Sequence, residues 1–277
     1  MATEDGAAEI PYDGSRWQRP TAFRNRKVKW AAYIGAALFV LWSIVSLLSG
    51  VTISRVVYGL GNGFLLVESM FPPETSTVNL ERVGVYMAET IAMAFVATFT
   101  GVLISLPIAV GAAENLAPWP LYYLNRGIIS ITRAIDELII AIIAVKAVGV
   151  GPLAGIIAIS YLTIGFFSKL FAEDIEDIDM GAKEAVEATG ASRFQTFVYA
   201  VIPQVAPRFV GLTVYRWDIN IRASTIIGIV GAGGIGTLLM RSFNRYEYDF
   251  AGTILIAIIV VVLAGELFSA YVRRRVQ

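Results

Sequence analysis

Along this chain, long uncharged apolar runs alternate with short clusters of charge, glycine and proline. The first run, 30–48, is close to the ~20 residues that cross a bilayer as a helix. A basic cluster of Arg16, Arg19, Arg24, Arg26, Lys27 and Lys29 precedes it and no small-residue cleavage site follows. It therefore reads as a first transmembrane helix (30–49) and not as a cleaved signal, with residues 1–29 as a cytoplasmic tail. From 50 to 84 the pattern loosens around Gly59, Gly61, Gly63 and Phe71-Pro72-Pro73, which suggests an external, partly interfacial segment. Five further spans are expected at about 85–112, 121–148, 153–171, 205–230 and 250–272. Pro118 and Pro120 mark a cytoplasmic turn, and Gly149, Gly151 and Pro152 an external one. Arg273, Arg274 and Arg275 close the last span, leaving 274–277 as a cytoplasmic tail. The pattern predicts an all-α integral membrane protein with six transmembrane helices and both termini inside.

The polar stretch 173–204 stands out between two such spans, and the topology puts it in the cytoplasm. Residues 183–188 are good helix formers, and Gly190 can take the left-handed conformation that ends a helix. Ser192 is an N-cap with Gln195 three residues on, a capping box that starts a second helix, which Pro203 then limits. The prediction is two short helices joined at a tight bend, a shape suited to docking a soluble partner.

Charges inside the spans form a second class, because each costs roughly 2.5–3.5 kcal/mol at a bilayer centre unless paired or wetted. Arg133 and Glu137, and Asp218 and Arg222, are spaced four apart, so each could neutralise the other within one helix. Alternatively, Arg133, Lys146, Arg216 and Arg222 offer positive charge along a polar route between spans three and five that would suit an anion. Glu89 and Glu266 lie nearer span ends, where snorkelling suffices.

The run Gly231-Ala-Gly233-Gly234-Ile-Gly236 satisfies the spacing of a dinucleotide fingerprint, but it lacks the strand before it and the βαβ unit around it. Its place at the end of a span suggests close backbone approach or a hinge at an external gate.

Composition narrows the chemistry. The chain is 56% hydrophobic and 16% charged, with 22 basic and 22 acidic residues, so no basic excess points to nucleic acid. It has no Cys and no His, which removes disulfides, thiol nucleophiles, a His base and thiolate or imidazole metal sites. No catalytic or metal-binding set is expected. No GxxxxGK[ST] loop occurs, so any ATP must be hydrolysed elsewhere.

The 183–203 segment resembles the signature loop of binding-protein-dependent ABC importer permeases, Glu-Ala-Ala, three residues, Gly, nine residues, Ile, one residue, Leu-Pro. Glu184, Ala185, Gly190 and Pro203 fit, while Val186, Ala200 and Ile202 depart yet stay small or apolar. From about Thr90 onward the chain looks like the phosphonate branch, through 112–118, 133–138, 163–166, 169–173, 222–236 and the loop centre Gly190-Ala191-Ser192-Arg193. Asp136 stands where that branch would have a proline. The resemblance implies a type I ABC transmembrane domain over 85–273 whose coupling loop, Glu184 through Gln195, sits in a cleft of the ATPase subunit. It also implies a homodimer, two ATPase subunits that bind ATP and Mg, an external substrate-binding protein and a phosphonate-like substrate. Phosphate, phosphite, a sugar phosphate or an organic ion stay open as cargo, as does, in another class, a secondary transporter or an integral-membrane enzyme.

Overall fold

The computed structural model describes residues 26–48 and 52–276, which are helical with short connections and, among these residues, no strand. The rest of the expected tail, with Arg16, Arg19 and Arg24, lies outside the described residues. Contacts divide the chain into two units, Met1–Leu65 and Leu66–Gln277.

In the first unit, α1 (Arg26–Leu48) is apolar on all sides from Trp30 onward, and Trp30, Phe39, Trp42 and Leu47 are all exposed. Such a helix is suited to a hydrocarbon surrounding. The expected loose segment 50–84 instead holds a helix, α2 (Ile53–Glu68), and the first turns of the next one. Gly59, Gly61 and Gly63 sit within α2 with open space where a Cβ would lie. A glycine costs a helix about 1 kcal/mol, which does not by itself break an apolar segment. The actual break is confined to 69–76 around the two prolines.

In the second unit the central pair is α3 (Thr77–Gly111) and α6 (Pro152–Glu176). Their contact is lined with small residues, Ala94, Ala97 and Gly101 against Ala158 and Thr163, which lets the backbones come close. Thr100 and Ser160 share a 2.8 Å hydrogen bond across it, and the Ser168 hydroxyl donates to the Ser105 carbonyl. α9 (Ile202–Gly228) crosses this pair, α10 (Gly234–Asn244) packs at its far end, and α11 (Tyr248–Val276) starts there and continues along α9, with Gly265 against Ile221 and Phe268 against Trp217. One apolar cluster, with Phe167, Phe171, Ile175 and Val205, lies at the end carrying the polar loop. Another, with Met87, Ile235, Leu238 and Ile254, lies toward the glycine-rich end.

Among the described residues five helices are long and apolar enough to cross a membrane, Lys29–Leu48, Thr77–Gly111, Pro152–Glu176, Arg193–Gly228 and Tyr248–Arg275. The expected span 121–148 is not one helix. It divides into α4 (Trp119–Ala134) and α5 (Glu137–Val148), so the six continuous spans become five and a broken pair. The break falls at Ile135 and Asp136, both extended, where the Asp136 carboxylate accepts a 2.9 Å hydrogen bond from the Leu138 amide and caps α5. With φ −70° and ψ 152°, Asp136 has a backbone that the expected proline would also adopt, and the aspartate adds the cap. Other boundaries shift too. α3 begins eight residues before 85, and the helix expected from 205 runs without interruption from Arg193.

Candidate functional site

At one end of the molecule the polar loop forms the expected elbow. Asp179 accepts from the Gly181 amide to cap α7 (Met180–Ala188), which buries no residue. Gly190 turns with φ +82° and open space around its Cα. The capping box is complete, with Gln195 Oε1 accepting from the Ser192 amide (2.8 Å) and Ser192 Oγ from the Gln195 amide (3.4 Å). Glu184, Ala185, Ser192 and Gln195 are exposed and Ala191 is half-buried. Phe194, 75% exposed, puts on the same elbow an aromatic ring with no ring partner among the described residues.

Pro203 does not limit the second helix. α8 (Arg193–Thr196) runs through a π-helical turn, Phe197–Val201, straight into α9. That wider turn lets the Ile202 amide reach the Phe197 carbonyl, five residues back, just before the proline that has no amide to give. The elbow's second arm is thus rigidly continuous with a span. Its base is pinned by polar contacts: Arg126 to both oxygens of Glu176 (2.7 and 2.9 Å), Arg208 to Asp174 (3.2 Å), Lys183 to the Asn115 carbonyl and Gln204 to Asp179. Arg208, within the expected span 205–230, belongs to this belt.

The charges expected along one route are divided between different faces. Arg133 and Glu137 are four apart but lie on opposite sides of the break at Ile135–Asp136, and they form no ion pair. Arg133 is exposed, with its stem against Gly165, and Lys146 is exposed in the last turn of α5. Asp218 and Arg222 do pair, at 2.9 Å, with Asp218 buried and also close to Gly265 of α11. Arg216 lies on another face of α9, 6% exposed, and stacks over the Phe166 ring with its guanidinium carbon 4.8 Å from the centroid. Its Nε donates to Thr163 Oγ1 (3.2 Å), and Glu137 is the carboxylate that acts on it electrostatically. One helical turn on, Asn220 donates to Thr98 (2.8 Å) and Thr163 (3.0 Å), tying α9 to both α3 and α6. Sequence reasoning missed Asn220. A polar amide four residues from an arginine inside a span was the available signal. Thr98 and Thr163 carried none, since threonine is common in membrane helices.

At the opposite end, Gly231, Gly233 and Gly234 have φ of +91°, +87° and +70°. A Cβ on Gly233 would strike the Gly151–Pro152 backbone, and one on Gly236 would strike the Thr225 carbonyl and Gly228. The glycines therefore serve close backbone approach. Glu89 does not merely snorkel: it is half-buried and accepts from the Gly234 amide (2.8 Å), while Thr90 Oγ1 accepts from the Ile235 amide (2.7 Å). With a helix before the run and the first α10 amides already engaged by α3, no nucleotide phosphate could be received there. Among the described residues no group of three or more His, Cys, Asp or Glu could hold a metal ion.

Helices able to cross a membrane, an exposed capped elbow and buried charge between the spans are the features of a membrane component that works with a soluble partner. The chain belongs to the binding-protein-dependent transport system inner membrane component family, whose model matches residues 105–277. It is 43% identical over 211 residues to the phosphate-import permease protein PhnE of Mycolicibacterium smegmatis, covering 74% of this chain and spanning only 39% of that relative. It is 38% identical over 246 residues to the phosphite transport system permease protein PtxC of Stutzerimonas stutzeri, covering 88% of this chain and 87% of the relative. The fold is similar to that of a chain in the inward-facing MetNI methionine ABC transporter, with a TM-score of 0.65, 23% identity, and coverage of 73% of this chain and all of the other. Family membership makes the chain a multi-pass membrane component of a transport system and not an enzyme.

Proposed function

We propose that this chain is the permease subunit of an ATP-driven importer and forms the path by which a phosphonate or related phosphorus oxyanion enters the cell. The observation that carries the substrate class is the identity to a phosphate-import and a phosphite permease over most of the chain. The buried Arg216 supports it, since a cation with low exposure between spans favours an anionic cargo. In this reading two copies pair, two ATPase subunits carrying ATP and Mg dock on the elbows, and an external binding protein delivers the substrate. Both termini and the elbow face the cytoplasm. The exposed face of Glu184–Gln195, including Phe194, enters the ATPase cleft, and the unbroken helix from Arg193 carries its movement into the membrane. Of the other charges, Glu137 then joins Arg216 at the path while Arg133, Lys146 and the Asp218–Arg222 pair lie on other faces, and the glycine end from Gly231 to Gly236 closes it outside.

The test is ATP-dependent uptake of phosphite, phosphate and methylphosphonate into vesicles holding the permease, the ATPase and the binding protein. Uptake of none of the three would defeat the substrate class. Gly190→Pro, which removes both the left-handed turn and an amide bonded to Glu187, should insert normally yet cut uptake at least about tenfold while hydrolysis no longer responds to the binding protein. Full coupling in that variant would defeat the docking role. Cysteines at positions 15, 192 and 277 should be labelled only from inside and one at 244 only from outside.

A further inference from the structure

We propose that Arg216 and Asn220 form a binding site within the path that selects an oxyanion carrying one proton. This rests on the permease reading above and names the form of its substrate. The argument begins with the direction of the Asn220 amide. Thr98 Oγ1 donates its only hydrogen to the Ala94 carbonyl (2.6 Å), and Thr163 Oγ1 donates its own to the Ile159 carbonyl (2.8 Å). Both hydroxyls can then only accept, so the Asn220 group facing them must be the NH2. Its Oδ1 is left as an acceptor, fully buried and without a donor among the described residues.

Holding three helices together needs only the two amide hydrogens. The carbonyl oxygen is surplus to that task, and an unfilled buried acceptor is unfavourable unless something supplies a donor. Four residues away on the same helix, Arg216 is the reverse case. Its Nε is occupied by Thr163, while its two terminal nitrogens have no hydrogen-bond partner among the described residues. Phe166 beneath it and Glu137 from α5 hold it in place, with Tyr215 the other titratable neighbour, and the Asp218–Arg222 pair lies on another face.

Donors from a guanidinium next to a neutral acceptor fit a hydrogen phosphonate, hydrogen phosphite or hydrogen phosphate anion: P–O⁻ receives the arginine hydrogens and P–OH donates to Oδ1. Sulfate at neutral pH has acceptors only and would leave Oδ1 unfilled. A site built to hydrogen-bond a hydroxyl rejects an analogue lacking it far better than an apolar site rejects an extra group. Since Asn220 has no exposed surface, the site is closed in this conformation and opens as α9 moves off the α3–α6 pair.

The experiment uses the full permease with its ATPase, without the binding protein, so that only the membrane site is read. Phosphite is the probe, followed by broadening of its phosphorus resonance between pH 5 and 8, with sulfate as competitor. The wild type should bind in proportion to the singly protonated fraction, and sulfate should displace phosphite at least about tenfold more weakly than phosphate does. Equal displacement by sulfate would overturn the proposal and needs no variant. Arg216→Gln should abolish broadening and Arg216→Lys retain part of it. Asn220→Ala, judged only if it co-elutes with the ATPase, should bring sulfate and phosphate to parity, a change that loss of a merely structural tie would not produce. Unchanged discrimination in that variant would also overturn the proposal. If discrimination holds but vesicles with the binding protein import no phosphorus oxyanion, the permease reading fails separately from the site.

Discussion

The elbow at 179–204 and the buried interior of the second unit are both polar insertions in an apolar chain, yet they are held by opposite kinds of contact. In the elbow the bonds that shape the bend are local: Asp179 to Gly181, Ser192 to Gln195, Thr189 to Val186. In the interior the bonds that matter cross long stretches of chain, as Asn220 to Thr98 and Gly234 to Glu89 do. A locally held part keeps its shape while it moves against a partner. A part held by distant helices changes shape only when those helices shift. This division suits a machine that receives force at one end and rearranges in the middle.

The sharpest test compares two glycines that are needed for different reasons, one for crowding and one for a left-handed turn. Gly236→Val, whose Cβ falls on the Thr225 carbonyl, should cost about 3 kcal/mol and yield little monodisperse protein. Gly190→Ala, with φ +82° but open space around it, should cost about 1 kcal/mol and fold normally. Similar thermal stability for the two in detergent would erase the contrast. Next in size is Thr163→Val, which keeps the shape but removes the acceptor shared by Arg216 and Asn220. Because both lost partners are buried, a loss of about 2 kcal/mol is expected, read as a lower unfolding temperature.

A smaller effect separates pairing from transport at Asp218 and Arg222. Asp218 is buried, but Arg222 is nearly half exposed and a glutamine in its place still offers the carboxylate an amide donor, so breaking the pair by Arg222→Gln should cost only about 1 kcal/mol. The double change with Asp218→Asn should recover most of that. If uptake stays low after stability recovers, Arg222 has a role in the path beyond its partner. The smallest effect is expected at the elbow, where Ser192→Ala removes one side of the capping box and costs about 0.5 kcal/mol. Faster hydrogen exchange at 193–196 with an unchanged unfolding temperature would show the local character of this region. A drop in the unfolding temperature would instead mean that the elbow supports the whole fold.

What could be read from the residues follows the same division. The Ser192–Gln195 box, the turn at Gly190 and the Asp218–Arg222 pair were all legible, because each depends on residues within four positions of one another. The same rule misled at Arg133 and Glu137, where a spacing of four presupposes an unbroken helix. Asp136, which stands where the resembled branch would have a proline, is the cap of a new helix. Pro203 looked like a stop, and a π turn just before it lets the helix continue. Glu89 looked like a snorkelling side chain because its partner, the Gly234 amide, lies 145 residues away.

The sequence by itself determined that this is an all-helical membrane chain with a capped polar elbow, since hydrophobic length and capping chemistry act over short stretches of chain. It also carried the family likeness that makes the chain a permease. Only the tertiary structure decided which buried polar groups share a site. Helix faces that alternate every 3.6 residues place Arg216 and Asn220 together and turn Asp218 and Arg222 elsewhere, and the partners that orient the Asn220 amide come from two other helices. That leftover acceptor arises from the hydrogen-bonding capacity of Thr98 and Thr163, already committed within their own helices. No pattern along a single helix could have revealed it.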